Sequence, residues 1–143
     1  MKLRPELYTT IAPDDLWRFY SDAGGIFVGG GNASDPKLIP AKGFRPRDVD
    51  IVFDTLECVH FVLPNPTKGI SFADNIPRLE RLGITGVVWK LPAGAVLPRG
   101  LVFNVKDRDH PLLNAGTRMS LPEFSAKLRV LAQQMLPTET RIR

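Results

Sequence analysis

Proline and glycine close nearly every apolar run in this chain, so it must be built from short elements joined by tight turns. GGIFVGGGNASDP carries five glycines in a brief span and ends on Pro36, and Pro40 and Pro46 follow it. A proline ring lacks the amide hydrogen that a growing helix needs and clashes with the preceding turn, so no helix nucleates here. Residues 24–47 read as an irregular excursion with one short strand over 26–28. The glycines match neither the GxGxxG spacing before a helix nor GxxxxGK[ST], so no standard phosphate loop is read from them.

Around that excursion the elements fall in order. LYTTI at 7–11 is β-branched and aromatic, a first strand. Pro13 with Asp14 or Asp15 opens a short helix whose apolar side is Leu16, Trp17, Phe19 and Tyr20, ended by Gly24 and Gly25. Val49, Ile51 and Phe53 alternate with Asp48, Asp50 and Asp54, which fits a half-exposed strand or a brief helical turn. HFVL at 60–63 is a strand closed by Pro64 and Pro66. PNPTKGISFADNIPRLERLG at 64–83 reads as a turn, a strand over 70–72 and a helix. Asp74 or Asn75 caps that helix, Pro77 lies in its first turn and Gly83 stops it. Ile76 and Leu79 face the core. GVVWKL at 86–91 and LVFNVK at 101–106 are strands split by the turn PAGAVLPRG; a loop containing Asp107, Asp109 and Pro111 follows, then a strand over 117–119. The last helix begins with a capping box, Ser120 and Glu123, and carries Phe124, Leu128, Leu131 and Met135 as one apolar stripe until Pro137.

One domain accounts for residues 1–143, with no internal repeat and no linker between two cores. Apolar content of 43% and charged content of 24% suit a water-soluble globular chain. No apolar run is long enough to span a membrane, and MKLRPELYTT has no apolar signal region, so neither a membrane partner nor a cleavable leader is expected. Cys58 is the sole cysteine and lies in an apolar segment, read as a buried structural thiol whose strand face His60 would share. With two histidines fifty residues apart and no CxxC or HExxH, metal binding is not expected. Gly69-Ile70-Ser71 lacks the second glycine of a nucleophile elbow. The net charge of +4 is partly in the Arg141, Arg143 tail and otherwise scattered, with no dense basic block interleaved with aromatics; nucleic acid is a possible partner but not the favoured one.

Several segments share an order with a known family. Leu7-Tyr8, Asp50-Ile51, Pro64-Asn65, Gly69-Ile70-Ser71, Pro92-Ala93-Gly94 through Pro98, Leu101 to Asp107, Thr117-Arg118 and Phe124 onward follow one another as in the type VI secretion exported effector two family. These are toxins with an ADP-ribosyltransferase-like fold. The resemblance covers most of the chain outside 24–47. It implies an α+β fold, a mixed domain of two small packed β-sheets with flanking helices and a central cleft holding NAD as substrate. It implies Ser71 and Arg118 as catalytic residues, and Tyr8, Thr9, Phe72 and Thr117 as residues that bind NAD. An antitoxin or immunity protein would be the partner, and the site of action the cytoplasm of the producing or a target cell, with a secretion machine, a fused domain or co-expression with an antitoxin as alternative routes. Thr9 stands where the family carries arginine, and the Glu-x-Glu loop of related transferases is absent. The other expectation is therefore a non-enzymatic module that grips a protein or nucleic acid on the same scaffold.

Overall fold

Helix α1 (Pro13–Asp22) opens the described part of the chain and sets Leu16, Trp17 and Tyr20 into the core. The computed structural model describes residues 13–107 and 110–143. The strand expected over 7–11, and with it Tyr8 and Thr9, lies outside the described residues. The Trp17 indole nitrogen donates to the Ala95 carbonyl at 2.8 Å, so the one polar atom of a buried ring is satisfied.

Nine short strands follow, grouped among the described residues into three small antiparallel sheets where the resemblance implied two. The first sheet orders β1 (Gly25–Gly31), β5 (Gly86–Pro92) and β9 (Leu136–Ile142). Gly25 starts it because a Cβ there would sit 2.3 Å from the Leu91 carbonyl oxygen, and its φ of 106° suits only glycine. The second sheet orders β2 (Asp50–Asp54), β3 (Val59–Leu63) and β8 (Met119–Ser120). The third orders β4 (Ile70–Ser71), β7 (His110–Ala115) and β6 (Leu101–Asp107). A reciprocal pair of backbone hydrogen bonds between Phe27 and Ala73, at 2.8 and 2.9 Å, joins the first sheet to the third edge to edge.

Helix α2 (Ile76–Arg81) starts where expected: the Asn75 side chain accepts from the Arg78 amide at 2.9 Å, and Pro77 sits in the first turn. Helix α3 (Leu121–Ala132) is capped by Ser120, whose hydroxyl accepts from the Glu123 amide at 3.2 Å. Its stripe of Phe124, Leu128 and Leu131 is fully buried, and Met135 beyond it nearly so. These side chains meet Phe44, Phe72, Phe103 and the α1 aromatics in one core; Phe72 and Phe103 pack edge to face at 5.3 Å.

Three expectations need correcting, and one stretch given no element from sequence proves to be a strand. The stretch after Asp107, read as a loop, is the buried central strand β7; its Pro111 is tolerated near the strand start, where its carbonyl still accepts from the Phe72 amide at 2.9 Å. The chain beyond Pro137 is a strand, because β9 is an edge strand, where proline costs no essential hydrogen bond and polar side chains alternate outward. The excursion over 24–47 contains a seven-residue strand rather than three residues of one. Cys58 is exposed: it closes the β2–β3 turn with φ of 53°, and Asp54 accepts the Leu56 and Glu57 amides in that same turn. The segment 49–54, open between strand and helical turn, is strand β2.

Candidate functional site

The third sheet has two differently used faces, because side chains alternate across a strand. Phe72, Phe103, Leu113 and Ala115 point to the core. Opposite them lie Ser71, Asn104, His110, Leu112 and Asn114, in register because Ser71 pairs with Leu112 and Leu112 with Asn104. A strand buried on both faces shows no apolar alternation, which is why β7 reads as a loop in sequence.

The loop 64–69 crosses this second face and is held there by polar groups. Asn104 and Asn114 are 5% and 0% exposed. The Asn104 side-chain amide donates to the Asn65 and Lys68 carbonyls, and that of Asn114 to the Lys68 carbonyl, all at 3.0 Å. Asn65 in turn accepts from the Thr67 amide at 2.9 Å and its hydroxyl at 2.8 Å, a side-chain-stabilised turn. Gly69 follows where the backbone presses on β7; a Cβ would lie 2.8 Å from Leu112 atoms. The loop is also tied sideways. Asn65 donates to Asp50 at 2.8 Å, and the Lys68 ammonium donates to Asp50 at 2.5 Å and to the Pro46 carbonyl at 2.8 Å. The hydrogen bond from Asn65, then the hydrogen bond and charge of Lys68, hold the Asp50 carboxyl below its ordinary range against a smaller opposing effect of desolvation.

Crossing the face in this way, the loop leaves a hollow on each side. One, of about 660 Å³, is lined by Pro64, Asn65, Arg99, Val102, Asn104 and Thr117. The other is a cleft of about 760 Å³ whose lining includes Thr67, Lys68, Gly69, Ser71, His110 and Leu112. Its lining also includes Gly29 and Gly30 of β1, residues 82–85 after α2, and Lys37, Phe44, Arg45, Arg47 and Asp48. Both volumes fall in the range of small-molecule sites, about 300–1,000 Å³.

Of the residues expected to act together, the structure places Ser71 in the larger cleft and Thr117 in the other hollow. Phe72 is fully buried against Phe103 on the core side, one residue out of phase with the cleft. Arg118 lies beside the second sheet. The chain leaves β7 at Ala115 and turns to pair Ser120 with Phe61, which sets the Arg118 guanidinium 3.6 Å over the Phe61 ring and 3.4 Å from Asp54. Arg118 is thus seated with β3 and is not among the residues lining the Ser71 cleft.

Reading the sequence alone missed His110 and the clustering of charge. His110 is 5% exposed and lies on the same sheet face as Ser71. Its context, DRDHPLLNA, looks like a polar loop and gives no strand signal. The charge was legible: residues 36–47 hold Lys37, Lys42, Arg45 and Arg47 and no acid, so the remaining 15 basic and 15 acidic residues balance and the whole net charge of +4 sits on this one segment. Among the described residues, no three His, Cys, Asp or Glu side chains come together as a metal site, and no helix is long and apolar enough to cross a membrane. No family profile, curated protein or solved structure matches this chain.

Proposed function

We propose that this chain is an intracellularly acting toxin that uses NAD as substrate in an ADP-ribosyltransferase-like cleft, either modifying a macromolecule or hydrolysing the dinucleotide. The observation that supports the reading is the juxtaposition of Ser71 and His110, on one face of the third sheet, in a cleft of about 760 Å³ whose lining also carries unpaired cations. Lys37 and Arg47 supply positive charge for the diphosphate, and Arg as a planar fork suits it best. Ser71 and Thr67 offer hydroxyls to the ribose, and His110 is a group able to take a proton from an attacking water or acceptor. As nicotinamide leaves, the glycosidic C–N bond breaks with its electron pair on the ring nitrogen. The oxygen nucleophile then bonds to C1′ and its proton passes to the base. An antitoxin or immunity protein covering the cleft mouth is the partner this reading requires, and the cytoplasm of a producing or target cell is where it would act.

One observation favours a second reading, a non-enzymatic binding module. Asp48 is the cleft's only lining carboxylate among the described residues, and Arg45 holds it at 2.7 Å, so no free acid stands ready to support a cationic ribose. The two readings separate in one experiment. Wild type and Ser71→Ala are induced in a host while growth and intracellular NAD are followed, and the purified proteins are titrated with NAD and assayed for nicotinamide release. Arrest with NAD loss that Ser71→Ala abolishes is the expected result. NAD binding without nicotinamide release selects the binding module, and no NAD binding with full toxicity in Ser71→Ala ends the NAD reading.

A further inference from the structure

The segment 36–47 is irregular, yet it is anchored at several points. Leu38 is buried and Ile39 and Phe44 pack against the core, with the Phe44 ring 5.4 Å from that of Phe124. The Gly43 amide closes a turn on the Pro40 carbonyl at 3.0 Å, and the Arg45 carbonyl accepts from the Asp48 and Val49 amides. Apolar side chains therefore point inward and the charged ones outward: Lys37, Lys42 and Arg47 are all exposed. Among the described residues Arg45, Lys68, Arg118 and Lys127 make ion pairs, while Lys37, Lys42 and Arg47 make none.

A diphosphate bound in the cleft would use at most the cations that line it, Lys37, Lys68, Arg45 and Arg47. Lys42 does not line the cleft, so the positive strip runs on past the mouth. Unpaired cations along an ordered surface segment match a ligand whose charges also lie in a row. Their fixed positions reduce the ordering cost of binding it. Ser71 is half-buried and lines the cleft, whereas Lys42 is exposed outside it, so an acceptor group must enter the cleft to meet Ser71. A base-paired duplex cannot deliver a nucleotide there without unpairing, whereas a single strand can.

We infer that residues 36–47 form a docking strip for the phosphate backbone of a single-stranded nucleic acid, delivered across the mouth of the Ser71 cleft. This names the class of macromolecule for the proposed NAD cleft and rests on that reading only for the chemistry after binding. The test is fluorescence anisotropy with labelled single strands of about 12 nucleotides, a length within known site sizes, read at about 50 and about 200 mM salt. With no NAD in the cleft, Lys37, Lys42 and Arg47 are all available, and three cations give a slope near −2 in log affinity against log salt, an affinity loss of about 20-fold across that range. Lys42→Gln/Arg47→Gln leaves one, and the loss shrinks to about threefold, with weaker binding at the lower salt. Both side chains are exposed, and thermal denaturation confirms that the variant folds as the wild type does. Equal binding of polyglutamate overturns the proposal in favour of an acidic protein partner. Salt-independent binding, preference for a duplex of the same length, or no binding also overturns it. NAD is titrated separately without oligonucleotide. Oligonucleotide binding without NAD binding removes the cleft reading and supports this one, and the reverse outcome removes this one.

Discussion

Two irregular loops wall the same cleft, and they are fixed by opposite means. The loop 64–69 is held by buried amides: Asn104 and Asn114 reach its carbonyls from below, and Asn65 closes it from within. The segment 36–47 is held by apolar pegs, Leu38, Ile39 and Phe44, with few polar ties. A hydrogen-bonded loop tolerates little displacement, since any shift strands a buried donor. A pegged loop tolerates small slides, because apolar contacts have no preferred direction. On the proposed reading, the first suits groups that would contact the ribose, Thr67 and, just beyond, Ser71. The second suits charges that need only be near a flexible anion.

Removing the support under the pegged loop has the largest expected effect. Phe124 is fully buried and seats the Phe44 ring as well as the α3 stripe. Phe124→Ala should lower unfolding free energy by about 3–5 kcal/mol, measured by chemical denaturation. Amide exchange should quicken over 36–47 well before it does over 64–69. If both loops loosen together, they are one cooperative unit and their supports are not separable.

Breaking the polar support is a smaller and more local change. Asn104→Ala withdraws the donor shared by the Asn65 and Lys68 carbonyls, while Asn114 still serves Lys68. The expected cost is about 1–3 kcal/mol, with faster exchange confined to 64–69 and weaker NAD binding. Asn104→Leu should not recover the loss, since filling the volume leaves the Asn65 carbonyl without that donor. Full recovery by leucine would mean that packing, not hydrogen bonding, fixes this loop.

The same contrast explains what was legible in the sequence. Periodicity and caps carry local information, so α2 with its cap at Asp74 or Asn75, α3 with its apolar stripe, and strands β3, β5 and β6 could be read directly. Strand β7 could not, because HPLLNA is buried on both faces and its Asn114 amide is satisfied by the Lys68 carbonyl, some forty-six residues earlier. Long-range polar pairing leaves no local pattern. Strand β9 was hidden for a related reason: an edge strand is permitted the proline and the charges that normally argue against pairing. Ser71 was reachable as the residue between a constrained glycine turn and a capped helix. Its neighbour His110 depended on the pairing of β4 with β7, and the seating of Arg118 on Phe61 on the route from β7 to β8; neither appears in the order of residues.

The smallest expected effect lies at a bond that joins the two loops. Lys68 belongs to the polar loop, and its ammonium binds the Pro46 carbonyl of the pegged segment and the Asp50 carboxylate on β2. The Asp50 carboxyl titrates below its ordinary value of 3.8 in the folded chain, owing first to Asn65 and then to Lys68. A depressed carboxyl binds fewer protons folded than unfolded, so its contribution to stability is complete above the unfolded value and drains away as pH falls through the folded one. In Asp50→Asn that contribution is missing at every pH. Acid denaturation of wild type and Asp50→Asn should therefore differ at neutral pH and converge below the ordinary carboxylate range. Lys68→Met should shift the wild-type acid midpoint upward yet leave that of Asp50→Asn nearly unmoved, since the partner it would lose is already neutral. The loops are then coupled through this pair, and amide exchange in 64–69 and 36–47 should become more independent in either variant. An upward shift of equal size in both backgrounds would place the Lys68 contribution at Pro46 alone, leaving the link between the loops to a single neutral acceptor.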